Sequence, residues 1–122
     1  GVLLDETGWH PHESIKWLGV SPDRLLGNNA LVEIKCPNTS TMVLWMSDDR
    51  VPGEYIKQIQ CQLWVTGRQW CDFVAYDPRL PKRQLWVKRI ERDEETIKQM
   101  EKEAIAFLDE VEKLLTSIEV SK

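Results

Sequence analysis

The chain has 122 residues, 42% of them hydrophobic and 30% charged, with a formal net charge of −4. This is the size of one domain, with enough apolar residues for a core, which excludes an intrinsically disordered polypeptide. No basic-then-apolar leader and no run of eighteen apolar residues occurs, so neither a signal peptide nor a membrane span is expected. Cys36, Cys61 and Cys71 are odd in number and lack CxxC spacing, which disfavours a disulfide framework or a zinc site. They read as free thiols of a cytoplasmic protein. His10 and His12 flank Pro11 and read as surface loop residues. The acidic total argues at first against a nucleic-acid partner. The charge is uneven, however: residues 1–50 sum to −3, residues 51–90 to +4 and residues 91–122 to −5. The middle segment is basic, and a fold can gather it onto one face.

In chain order, Gly1–Leu4 is a short apolar run that reads as an edge strand, and Asp5–Ser14 reads as a loop. Ile15–Val20 is apolar enough for a strand and is closed by Ser21-Pro22. Gly27-Asn28-Asn29 is a turn signal, and Leu31–Cys36 alternates after it, so a β-hairpin is expected. Pro37 stops that strand, and Thr39–Met46 reads as a short helix capped by Thr39 or Ser40. Asp48–Gly53 reads as a loop. Glu54–Thr66 is expected to be a helix, because Tyr55, Ile59 and Leu63 recur every four residues and Gly67 follows as a C-cap. Trp70–Tyr76 and Gln84–Ile90 are strand-like, separated by a loop holding Pro78 and Pro81. From about Asp93 a long charged helix is expected, with Ile97, Met100, Ala104, Phe107, Val111, Leu114 and Ile118 as an apolar stripe for its own domain or for another subunit. There is no internal repeat and no low-complexity linker, so residues 1–122 read as a single domain. Its expected class is α/β (α+β), a mixed sheet flanked by helices with a long C-terminal helix.

The chemistry concentrates at Pro22-Asp23 and Glu33-Ile34-Lys35. Glu33 and Lys35 are two apart on a strand and share a face, while Val32 and Ile34 are expected to face the core. A hairpin closing at Gly27–Asn29 can return Asp23 to the side of Glu33. Two carboxylates and one ammonium would then converge. Carboxylate oxygens suit a hard cation such as Mg²⁺, which can acidify water and stabilise charge on a phosphate. Lys35 would hold water and favour the crowded anionic phosphate of a transition state. The bare spacing is also met on the solvated side of ordinary half-buried strands.

Several motifs in order sharpen this reading. They are Ser21-Pro22-Asp23, Val32-Glu33-Ile34-Lys35-Cys36-Pro37, Tyr55-Ile56-Lys57-Gln58-Ile59-Gln60, Trp64-Val65-Thr66, Tyr76-Asp77-Pro78-Arg79 and Ile90-Glu91-Arg92-Asp93-Glu94. Together, from about Leu18 to Glu95, they resemble the C-terminal catalytic part of the phage lambda-type exonucleases. These are the YqaJ-type viral recombinase nucleases of the PD-(D/E)xK superfamily. The resemblance implies a restriction-endonuclease-like core. It implies that Asp23, Glu33 and the carbonyl of Ile34 hold Mg²⁺, for which Mn²⁺ substitutes. It further implies that Lys35 is the catalytic lysine, with Gln58 and Tyr55 reaching the site from the following helix. It implies double-stranded DNA as substrate, resected 5′ to 3′ from ends during phage recombination, in the bacterial host cytoplasm. A single-strand-annealing protein and a homotrimeric ring are the implied partners.

Family members carry a helical region ahead of the first strand, which adds an acidic residue at the metal site and basic groups for the DNA end. Glu6 and Glu13 do not match it, and this chain is expected to lack that region. Two alternatives stay open: another PD-(D/E)xK nuclease, endonucleolytic or Cas4-like, and an inactive DNA-binding or oligomerisation fragment. The scattered cysteines do not supply the iron–sulfur cluster of the Cas4 type.

Overall fold

The computed structural model describes residues 4–6, 8–12, 19–20 and 22–120. Of the expected strands at 1–4 and 15–20, only Leu4, Gly19 and Val20 fall within the described residues; Glu13 and Ser21 lie outside them. Residues 1–92 form one compact unit and residues 93–122 another.

In the first unit, β1 (Leu4–Glu6), β4 (Arg24–Leu26), β5 (Ala30–Lys35), β6 (Trp70–Tyr76) and β7 (Leu85–Glu91) form one sheet in the order β1-β4-β5-β6-β7. Every neighbouring pair is antiparallel except β5 and β6, which run parallel. A parallel pair needs a long crossover, and here it contains α1 (Thr39–Asp48) and α2 (Gly53–Thr66). A two-stranded ribbon, β2 (His10–Pro11) with β3 (Gly19–Val20), lies against α2. The stretch 5–14 read as loop therefore contributes to both sheets. Three- and two-residue strands carry too little alternation to register as a pattern, and pairing with β4 and β3 defines them.

The β4–β5 hairpin turns at Gly27–Asn29, where Gly27 takes a left-handed φ of 57°. That conformation costs a side-chain-bearing residue more than glycine. Arg68 pins the turn, donating through Nη1 to the carbonyls of Gly27 and Ala30, both at 2.9 Å. Helix α1 is capped by Asn38, whose Oδ1 accepts from Thr41 N at 2.9 Å, one residue before the expected cap. Asparagine is among the strongest N-caps. Helix α2 ends at Gly67 with φ 71°. Arg92 Nη1 donates to Leu63 O at 2.6 Å and Gln60 Nε2 donates to Glu91 O at 2.8 Å, which fasten α2 to the end of β7.

The core comprises Leu31, Met42, Val51, Ile59, Leu63, Cys71, Phe73, Ala75 and Trp86. Register places Leu31 opposite Cys71 and Glu33 opposite Phe73, so this core lies on the face that carries Glu33 and Lys35. The expectation that Val32 and Ile34 define the core side is thereby corrected. β5 is central and covered on both faces over most of its length, and Ile34, expected inside, is 39% exposed. Alternation identifies two faces, but when both are covered it cannot rank them.

The second unit contains α3 (Glu94–Val120). Asp93 caps it, accepting from Thr96 Oγ1 at 2.8 Å and Glu95 N at 3.1 Å; the bonds from Thr96 hold its carboxyl below the usual carboxylate value. Phe107, Leu114 and Ile118 of the expected stripe are exposed.

Candidate active site

Asp23 immediately precedes β4, and the last hairpin pair is Arg24 with Val32. The next position brings Asp23 beside Glu33 at the end of the ladder. Here the side chains take over from the backbone. Ile34 N donates to Asp23 Oδ2 at 2.8 Å, and Asp23 N donates to Glu33 Oε1 at 3.2 Å. Each carboxylate is thus held by an amide of the opposite strand. Arg24 Nη1 closes on the Asp23 carbonyl at 2.7 Å.

Glu33 is 3% exposed. Burial, then the charge of Asp23, push its carboxyl above the ordinary value. The Asp23 backbone amide, the Gln62 side chain and the Lys35 charge pull in the other direction without cancelling them. A buried carboxylate beside a second one favours a proton or a cation between them.

Lys35 is half-buried, with Nζ 4.9 Å from the centroid of the Tyr55 ring. Tyr55 in turn packs on Phe73 at 5.5 Å and Trp45 at 5.8 Å. The aromatic face attracts the ammonium and limits where it can go. Tyr55 therefore joins the constellation through its ring. Gln58 is exposed on α2, and no hydrogen bond among the described residues joins it to Asp23, Glu33 or Lys35.

The glutamine that approaches Glu33 is Gln62, one helical turn beyond Gln58. It is 3% exposed, and its Oε1 has no partner among the described residues. Tyr55, Gln58 and Gln62 recur at helical spacing on α2, so periodicity was a signal for Gln62. Its approach to Glu33 depends on the depth of the helix on the sheet, and Gln58 stays a candidate on the exposed turn before it. Beneath Glu33, burial and the Glu33 charge push the Cys71 thiol up to about 12. His12 packs edge-on against Trp64 at 4.9 Å, away from the carboxylates in sequence and on the β2–β3 ribbon side of α2. Among the described residues, no group of three or more His, Cys, Asp or Glu side chains is placed to hold a metal.

A mixed sheet whose central parallel strand presents Glu33 and Lys35 beside Pro22-Asp23 defines the PD-(D/E)xK fold class. More narrowly, the chain belongs to the YqaJ-like viral recombinase domain family, whose model matches residues 3–69. It is similar to an alkaline exonuclease from Laribacter hongkongensis, with 46% identity, a TM-score of 0.92 and coverage of 98% of this chain and 62% of that one. A structure of that exonuclease in complex with dAMP matches with a TM-score of 0.91 and 46% identity, over 97% of this chain and 61% of that one. A phage-related exonuclease from Haemophilus somnus 129PT shares the fold, with a TM-score of 0.65, 16% identity and coverage of 95% and 63% of the two chains. The ExoD protein of Escherichia coli K12 is 27% identical over 70 residues, which are 57% of this chain and 80% of ExoD. The chain thus spans about three-fifths of the length of the solved exonucleases it matches.

Proposed function

We propose that this chain is the catalytic core of a metal-dependent DNA exonuclease of phage-type recombination, acting on duplex ends in the 5′ to 3′ direction. The observation that carries this reading is the interlocking of Asp23 and Glu33, in which Ile34 N donates to Asp23 Oδ2 at 2.8 Å and Asp23 N donates to Glu33 Oε1 at 3.2 Å, with Lys35 two residues beyond Glu33 on the same strand. Similarity at 46% identity to a solved protein named as an alkaline exonuclease supports it.

The pair fits a hard divalent cation. Its donors are carboxylate oxygens, and burial, then the charge of Asp23, raise the Glu33 carboxyl. Asp23, Glu33 and the Ile34 carbonyl would hold Mg²⁺ or Mn²⁺. When bound, the cation supplies Lewis acidity toward phosphate and acidifies water at the site. Lys35, steadied by Tyr55, places a positive charge where the attacked phosphate gains negative charge and orients the water that attacks it. Gln62 limits the motion of Glu33, and the surrounding apolar side chains keep that carboxylate poorly hydrated. The partners of this reading are a single-strand-annealing protein and further copies of the chain, as a trimer, both by resemblance to the lambda-type exonucleases.

A second reading is favoured by one observation. Only two carboxylates converge among the described residues, which suits a site completed by groups outside those residues. Cleavage of 5′-end-labelled linear duplex DNA with Mg²⁺, by wild type and Lys35→Ala, decides. Label release lost in the variant supports the exonuclease. Equal cleavage by both sinks the role of Lys35. Mn²⁺ binding at Asp23 and Glu33 without cleavage points to the incomplete site.

A further inference from the structure

β5 and β6 run parallel with Lys35 opposite Ala75, so the chain leaves both strands at the same end of the sheet. Two residues beyond Lys35 is Pro37, and two residues beyond Ala75 is Asp77. A clamp joins them. Asp77 is 0% exposed, and its Oδ1 accepts from Arg79 N at 3.0 Å and Arg79 Nε at 2.8 Å. Arg79 Nη2 donates to the Pro37 carbonyl at 3.1 Å. The guanidinium is thereby fixed over the segment that follows the candidate catalytic lysine, yet the Arg79 side chain remains 61% exposed.

Of the five N–H donors of a guanidinium, Nε and one hydrogen of Nη2 are committed. Both hydrogens of Nη1 and the second of Nη2 remain for an outside acceptor. The same loop carries Lys82 and Arg83, both exposed. Arg83 holds a left-handed φ of 55°, where glycine would sit at lower cost. The acid that feels Arg83, Asp49, is already held by Lys88 at 2.9 Å. The basic middle segment of an otherwise acidic chain is thus partly gathered beside the candidate active site.

We propose that Arg79, locked by the buried Asp77, and Lys82 and Arg83 form a contact for phosphates of the DNA backbone, which holds the strand against the Asp23–Glu33–Lys35 edge. The proposal rests on the nuclease reading for its ligand. A planar donor fork with its stem immobilised suits a phosphodiester, since little freedom is lost on binding. Asp77 and Arg79 are positioning and binding groups; neither takes part in bond cleavage.

The test is fluorescence anisotropy of labelled duplex DNA with the 122-residue chain in EDTA, over about 50 to 200 mM salt. Each phosphate contact removed should lower the slope of log affinity against log salt by about 0.9. Arg79→Gln should lower it by one such step and Lys82→Gln/Arg83→Gln by two. Arg79→Lys should keep the slope while binding more weakly, because the fork is lost. Melting temperatures of the variants identify any loosened loop, and the tip double variant decides if Arg79→Gln unfolds. An unchanged slope in the double variant and in a folded Arg79→Gln overturns the proposal, as does absence of DNA binding by wild type. Lys35→Ala separates the two readings. If it abolishes cleavage while the loop variants leave the slope intact, the nuclease stands and the loop proposal falls. If it leaves cleavage intact while the loop variants lower the slope, the loop holds DNA and the role of Lys35 falls.

Discussion

Glu33 and Asp77 are both buried acids at the same end of the sheet, and their surroundings treat them oppositely. Asp77 meets donors: bonds from Thr39, then from Arg79, hold its carboxyl below the ordinary carboxylate value. Glu33 meets burial and a second carboxylate, and its carboxyl is raised. Burial is common to the two, so it does not distinguish a structural acid from a reactive one. The number and sign of neighbouring groups do. Asp77 is tied to its own chain through Oδ1 alone, its Oδ2 having no hydrogen-bond partner among the described residues. An acid held in this way by donors fixes geometry, whereas an acid left short of positive charge is ready for a ligand.

The largest expected break in this contrast comes from the cation on the Glu33 side. Lys35→Ala should reduce cleavage by on the order of 10³-fold in a single-turnover assay, with an unchanged circular dichroism spectrum. Next, Asp23→Asn and Glu33→Gln should each weaken Mn²⁺ binding, read by titration calorimetry, by more than the roughly 10–100-fold commonly lost with an outer-shell partner. Gln62→Leu should fall within about that 10–100-fold range, because it frees Glu33 without removing it. Retained Mn²⁺ affinity in Gln62→Leu would mean that Glu33 is held by the Asp23 amide alone.

A smaller effect should appear in metal-free thermal melts against pH. The folded carboxyl of Glu33 lies above its ordinary value of 4.5. Its contribution is therefore fully present below 4.5 and is lost as pH rises through the raised value. Glu33→Gln should flatten that decline. Asp77 has the opposite sign: its contribution is present above 3.8 and is lost as pH falls through the depressed folded value. Asp77→Asn should remove that acid limb and lower the melting temperature at neutral pH. The smallest expected signal is chemical. Cys71, pushed up to about 12, should resist alkylation at neutral pH, while the exposed Cys36 reacts; mass mapping after iodoacetamide treatment checks both.

Local features were legible where one residue type answers one local demand. Gly27 and Gly67 mark left-handed positions, and the repeat of Tyr55, Ile59 and Leu63 gave α2 with nearly its observed bounds. The Asp23–Glu33 approach was also legible, because a hairpin around a known turn leaves little freedom in register. Less of the site beyond that pair could be read. Asn38 stood one residue outside the expected cap, and the strands within 5–14 were too short to signal themselves. Gln58 and Gln62 are equivalent by helical periodicity, and the depth to which α2 settles on Phe73 and Leu31 separates an exposed amide from a buried one.

By itself, the sequence determined the strand–turn–strand that brings two carboxylates together, the shared face of Glu33 and Lys35, and the helix that follows them. These depend on backbone geometry over a few residues. Tertiary structure decided that this face lies under α2, that Glu33 is therefore poorly hydrated, and that Asp77 reaches across to fix Arg79 beside Pro37. The reason is that a strand's alternation specifies two sides with equal weight, while packing and the dielectric it creates assign their chemistry.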